Sequence, residues 1–250
     1  MQITININCD MGEREGHEGL EYDLRLLGYV SSVNIACGFH AGDEHSMRTL
    51  AKACFEQHKS IGAHPSFDDR KNFGRSEVFL TNEEIYQLVL KQLVILGEIA
   101  KEEGGVLQHV KPHGALYNMA AKDATMAGAI AHAVFDYDPD LLFVGLAGSH
   151  LISEALKRGL DVSREAFADR RYERDATLRS RKKEGALLPD TTAMYEQVLM
   201  ICTQKKVIAS DGSKIDIEAD TICIHSDDEH ALEFASGLKE FLLTHNITIQ

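Results

Sequence analysis

Basic side chains are in short supply: 26 Lys and Arg stand against 39 Asp and Glu in 250 residues, a net charge of −13. Nucleic-acid surfaces need clustered Lys and Arg, so no nucleic-acid partner is expected. No apolar run approaches the roughly 20 residues of a membrane helix. The start, Met1-Gln2-Ile3-Thr4, lacks the basic and apolar regions of a signal peptide, so no membrane partner is expected either. The five cysteines are spread along the chain with no close C-x-x-C pair. That excludes a disulfide framework and a zinc-cysteine cluster. Cys9, Cys37 and Cys223 fall in apolar or strand-like settings suited to buried thiols, and a cytoplasmic location is expected. There is no G-x-x-x-x-G-K-[ST] or G-x-G-x-x-G loop and no G-x-S-x-G elbow, which leaves a standard nucleotide loop and a serine nucleophile unsupported. Linkers, repeats and low-complexity segments are missing too, so residues 1–250 read as one domain.

What is present is an alternation of strand and helix patterns. Ile3 to Asn8 alternates apolar and polar residues and runs into Cys9-Asp10-Met11-Gly12-Glu13. A loop over Gly16 to Gly19 and a short helix from Glu21 to Tyr29 follow. Extended pieces are expected at 32–36, 60–63, 105–111, 141–145, 160–167 and 220–224. Helices are expected from Asp43 to His58, 82–103, 123–135, about 150–157, 191–203 and at the C-terminus. Thr81 with Glu84 forms a capping box, and Asp211-Gly212 between apolar pairs marks a hairpin. Such alternation predicts an α/β fold with a mostly parallel sheet: a (β/α) barrel of about seven strands, or an open doubly wound sheet as the alternative.

Polar residues gather where the strands end. In Gln108-His109-Val110-Lys111-Pro112-His113-Gly114, side chains two apart share a face of an extended strand, and Pro112 ends the ladder. Together the strand ends offer Asp10, His40, His64, His109, Lys111, His113, Asp169, His225 and Asp227. Imidazole and carboxylate suit proton transfer near neutral pH, and an ammonium suits an oxyanion or phosphate. Asp10, His40 and His64 are the candidates for metal ligands, but their spacing matches no recognised metal motif and no tightly bound metal is expected.

Asn6–Glu13 (N-x-N-C-D-M-G-E), Asn34–Asp43 (N-I-A-C-G-F-H-A-G-D), Gly62–Phe67 (G-A-H-P-S-F), His109–Asn118 (H-V-K-P-H-G-A-L-Y-N), Gly145–Ser149 and Phe167–Tyr172 (F-A-D-R-x-Y) together resemble the LamB/YcsF family across nearly the whole chain. The family usually reads H-G-D where this chain has His225-Ser226-Asp227. The resemblance implies a distorted (β/α) barrel acting as the A subunit of a 5-oxoprolinase, which opens 5-oxo-L-proline to L-glutamate with ATP and Mg²⁺, alongside subunits B and C. On that basis Asp10, His40, His64, Lys111 and His113 are the expected catalytic set. Asn8, Asn34, Arg75, His109, Tyr117, Asn118, Asp169, Arg170, His225 and Asp227 are the expected substrate-binding set. Asp10 or His64 would be the base, Lys111 and His113 would face the oxyanion or phosphate, and Arg75 or Arg170 the substrate carboxylate. Two other readings remain: a non-catalytic ligand-binding or regulatory subunit, and a stand-alone metal-dependent, deacetylase-like hydrolase. A homo-oligomer is left open.

Overall fold

The computed structural model describes residues 3–225 and 231–250. Ten strands are seen: β1 (Ile3–Met11), β2 (Ser32–Ala36), β3 (Ser60–His64), β4 (His109–Val110), β5 (Leu142–Leu146), β6 (Val162–Phe167), β7 (Lys206–Ile208), β8 (Lys214–Asp216), β9 (Thr221–His225) and β10 (Ile247–Ile249). The helices are α1 (Gly16–Leu26), α2 (Glu44–Glu56), α3 (Asn82–Glu102), α4 (Gly114–Ala120), α5 (Ala124–Tyr137), α6 (His150–Arg158), α7 (Thr191–Gln204) and α8 (Ala231–Thr244). Strands β1 to β6 pair in sequence order and in parallel, β6 pairs with β9, and β9 returns to β1. That last pairing closes a seven-stranded (β/α) barrel and rules out the open sheet. β10 extends the N-terminal half of β1 from outside the closed ring, pairing Ile3 with Ile247.

β1 shows why the barrel is built this way. Ile5, Ile7, Cys9 and Met11 are buried in the apolar core. The alternate residues Asn6, Asn8 and Asp10 carry the polar face, as period-two geometry requires. Barrels of this kind are ordinarily filled by branched apolar residues. Here polar groups on neighbouring strands pair inside the ring instead: Ser32 and Thr221 hydroxyls donate to Asn6 Oδ1 at 2.8 and 2.7 Å, and Asn8 Nδ2 donates to Thr221 Oγ1 at 2.8 Å. Pairing these groups matters, since a buried polar atom left alone costs about 1–3 kcal/mol.

Both expected caps are present. Asp43 accepts from the Ser46 amide and Thr81 from the Glu84 amide, each in a reciprocal capping box. The hairpin around Asp211-Gly212 is the antiparallel β7–β8 pair, which lies outside the barrel. Three local expectations need correction. Gly16 to Gly19 is the first turn of α1 rather than a loop. The fourth strand shrinks to His109–Val110, because Pro112 and the partly exposed Gly104-Gly105-Val106 lead give it no longer ladder. β10 has no counterpart in the sequence reading, as three residues after a helix carry too little periodicity. No helix among the described residues is long and apolar enough to cross a membrane.

Candidate active site

Every strand end that carries a candidate residue opens at the same rim, the C-terminal face of the barrel. Below it lies a cavity of about 580 Å³ lined in part by Asp10, Glu13, His64, Lys111, His113 and Tyr117. Its upper wall comes from the excursion between β6 and β9, through Arg170, Leu178 and the stretch Ser180 to Lys182.

The floor is an ionic array. Lys111 is only 2% exposed. Its Nζ lies 2.8 Å from Asp10 Oδ1, 2.9 Å from Glu165 Oε1, 3.2 Å from Asn8 Oδ1 and 3.1 Å from Cys223 Sγ. Burial alone would lower the Lys111 pKa, but Asp10 and other anionic neighbours outweigh it and hold it well above the ordinary value. The ammonium is charged and saturated with partners, so it is no base. Burial alone would likewise raise Asp10, yet His64 and Lys111 hold it well below the usual carboxylate range. Asp10 Oδ1 also accepts from Asn34 Nδ2 at 2.8 Å, while Oδ2 sits 3.3 Å from His64 Nε2. One oxygen of Asp10 is thus anchored, and the other is turned to the histidine side.

Asn8, Asn34 and His109 lie one layer deeper and do not line the cavity. Asn34 donates to Asn8 and Asp10 and accepts from His109 Nε2 at 2.9 Å, while His109 Nδ1 meets the Ser60 hydroxyl at 3.1 Å. Burial, and after it the charge of Lys111, pushes His109 down to about 3, so the ring is neutral. Its space exists because the paired residue on β3 is Gly62; a Cβ there would fall inside the imidazole.

Beside the floor, three imidazoles surround Glu13. His40 Nε2, His113 Nδ1 and His64 Nε2 lie 2.9, 3.1 and 3.6 Å from Glu13 Oε1. His40 stacks on His113 with centroids 3.8 Å apart and stands behind Glu13, away from the main cavity. Burial, with His113 nearby, takes it down to about 4. His113 caps the start of α4, where Gly114 adopts a positive φ of 58° and packs so closely on the Gly74 carbonyl that a Cβ would collide.

On the far wall, Tyr117 donates to Glu165 Oε2 at 2.7 Å, and Asn118 donates to the Gly114 carbonyl. His225 Nδ1 is 3.0 Å from both oxygens of Asp169 and stacks on Phe167. Asp169 therefore orients His225 and faces a second, smaller cavity instead of the main one. Arg170 lines the main cavity while only 5% exposed, and its Nε has no hydrogen-bond partner among the described residues. Burial and the neighbouring Arg181 bring it down to about 10. Arg75 sits at the mouth, over the Phe73 ring. Asp227 lies outside the described residues.

Two members of the site escaped the sequence reading. Glu13 stands in a Glu-Arg-Glu run that looks like a solvated loop, and Glu165 is hidden inside a strand. For Glu165 the signal was its place in Ser163, Glu165, Phe167, every second residue of β6 and all buried.

The chain was compared with known proteins. The model of the LamB/YcsF family matches residues 5–250. A Staphylococcus aureus (strain bovine RF122 / ET3-1) protein, named as the A subunit of 5-oxoprolinase, is 46% identical over 248 residues, covering 99% of each chain. The crystal structure of a lactam utilization protein from Thermus thermophilus matches with a TM-score of 0.90 at 38% identity, covering 99% of both chains. A family 4 carbohydrate esterase from Streptomyces lividans shares the fold alone, with a TM-score of 0.50 at 10% identity over 99% of this chain and 91% of that one.

Proposed function

The chain belongs to the LamB/YcsF family, and from that premise we propose that it is the A subunit of a 5-oxoprolinase. In this reading it opens the lactam of 5-oxo-L-proline to L-glutamate at the expense of ATP, with Mg²⁺, in a cytoplasmic complex with subunits B and C. The observation that carries it is the charge of the cavity. In a protein of net charge −13, its lining holds Arg75, Lys111, Lys122, Arg170, Arg181 and Lys182 against Asp10, Glu13 and Glu77. A local cationic bowl in an acidic protein selects a small anion, such as a carboxylate or a phosphate. The volume of about 580 Å³ exceeds what one five-membered lactam fills and leaves room for a phosphoryl group.

A lactam carbonyl is a poor electrophile, and phosphoryl transfer to its oxygen makes the ring carbon open to water. Asp10 Oδ2, 3.3 Å from His64 Nε2, is the base for that water, while Oδ1 is tied to Lys111 and Asn34. Lys111 keeps Asp10 ionised and places positive charge beneath the developing oxyanion, whereas both nitrogens of His113 are already engaged, with the Phe73 carbonyl and with His64 and Glu13. Arg170 holds the substrate carboxylate, for which its unpartnered Nε supplies a donor, and Arg75 adds charge at the mouth. His225, oriented by Asp169, closes the opposite wall.

The chain lacks a glycine-rich loop, so partner subunits complete the ATP site. The test is 5-oxoproline-dependent ATP hydrolysis by the isolated chain and by the chain reconstituted with subunits B and C. Activity is expected only on reconstitution, and Asp10→Asn should abolish it. Turnover by the chain alone would move the whole nucleotide site onto this rim.

A further inference from the structure

Hydrogen bonding around Glu13 turns two imidazole nitrogens and a carboxylate oxygen toward one point. His64 Nδ1 lies 2.7 Å from the Lys111 carbonyl, and His113 Nε2 lies 2.9 Å from the Phe73 carbonyl. A carbonyl only accepts, so each ring spends a proton there, and in the neutral ring the other nitrogen carries a lone pair. Those two nitrogens, His64 Nε2 and His113 Nδ1, face each other at 2.9 Å. Glu13 Oε1 stands 3.6 Å from the first and 3.1 Å from the second. With both rings neutral, three ligand atoms converge on one point, which suits a metal ion.

We propose that His64 Nε2, His113 Nδ1 and Glu13 Oε1 form a three-ligand site for a divalent first-row transition ion, with zinc the best match. Tetrahedral zinc with bonds of about 2.0–2.1 Å holds its ligand atoms roughly 3.3 Å apart. The three separations here run from 2.9 to 3.6 Å. The two rings meet edge to face at 80°, so one ion can lie in both ring planes.

His40 is a supporting group. Its ring is parallel to that of His113 and 3.8 Å away, so the two cannot share an ion in plane. It bonds Glu13 Oε1 at 2.9 Å and is braced on its other side by the Ser66 hydroxyl at 2.9 Å. The carbonyls of Lys111 and Phe73 orient the ligand imidazoles in the same way. This is the outer ring of contacts that metal ligands ordinarily have.

Glu13, His64 and His113 all line the main cavity, and so does Asp10, whose Oδ2 is 3.3 Å from His64 Nε2. The fourth coordination position therefore faces the substrate space beside a carboxylate, which is where a Lewis acid would act. Linear spacing gave no hint of this, because the three ligands come from the ends of three different strands. The site does not rest on the 5-oxoprolinase assignment, and its test needs no substrate.

The full chain, stripped with chelator and dialysed, is titrated calorimetrically with ZnCl2. One ion per chain is expected, with His64→Ala and His113→Ala each weakening binding more than about 100-fold and His40→Gln roughly 10- to 100-fold. The His17→Ala/His132→Ala pair, which removes exposed imidazoles that sit beside carboxylates, should bind as wild type. Cobalt added to the unaltered protein gives a readout independent of any variant's folding, and the intense visible bands of a four-coordinate ion are expected. Absence of stoichiometric binding, a weak octahedral cobalt spectrum, or zinc lost only in the surface variant would overturn the site and leave a shared proton between the two histidines.

Discussion

Replacing Lys111 by Met removes the one cation between two buried carboxylates. Met matches the aliphatic stem and leaves no large void, so the loss is electrostatic. Asp10 is 4% exposed and Glu165 not at all, and both oxygens facing Nζ lie within 2.9 Å of it. Breaking a buried pair by deleting one member costs about 3–5 kcal/mol, because the surviving charge is stranded. For a chain of this length that corresponds to a Tm lower by roughly 6–20 °C. The assay is urea unfolding followed by circular dichroism, on Lys111→Met, Glu165→Gln and the double variant. Neutralising Glu165 as well removes part of the stranded charge, while the Gln carbonyl still accepts from Tyr117. The double variant should therefore be more stable than the sum of the single losses, by at least about 1 kcal/mol. Strict additivity, or a Lys111→Met variant within about 1 kcal/mol of wild type, would refute the claim that this ion array holds the barrel floor together.

Gly62→Ala should displace the His109 ring and break its bond to Asn34, costing about 1–3 kcal/mol in a thermal melt; an unchanged Tm would mean the ring moves freely. Asp220 holds the Arg164 guanidinium through two bonds of 2.8 Å. Its pKa is lowered because that pairing outweighs burial, so its contribution is present above the unfolded value near 4 and is lost as pH falls through the folded value. Asp220→Asn should cost about 1 kcal/mol at pH 7, with partial exposure limiting it, and the gap from wild type should close below that value; a gap that widens in acid refutes the assignment. Burial pushes Cys37 and Cys54 up to about 12 and Cys202 to about 11, so a thiol reagent at pH 8 should label the half-buried Cys202 first, with all five reacting only in denaturant. Fast labelling of several thiols in native buffer would contradict that packing.

The barrel could be read from the sequence because short strands, apolar on one face, alternate with helices, two of which start at caps visible in the sequence, Asp43 and Thr81. The site was visible for a related reason: His64, Lys111 and His113 follow apolar runs, where a polar cluster stands out. Glu165 was invisible because its alternation with Ser163 and Phe167 has meaning only once β6 is known to face a polar interior. Glu13 was missed because acidic runs are ordinarily solvated, and only the fold brings His40, His64 and His113 to it from three other strand ends. What the sequence did not locate is the seam, since the pairing of β1 with β9 joins strands more than 200 residues apart.

That closing seam has a consequence for how the protein is made. β1 lays Asn6 against Thr221 and Ile3 against Ile247, so one of its edges has no mate until residues more than 200 positions later are synthesised. At about 5–20 residues per second the wait is on the order of 10–40 s, during which a nine-residue strand with one apolar face has an unpaired edge. Such an edge invites other chains. The nascent protein is most exposed to aggregation before its final strands arrive, and chaperone dependence should fall on the first strand rather than on the catalytic rim.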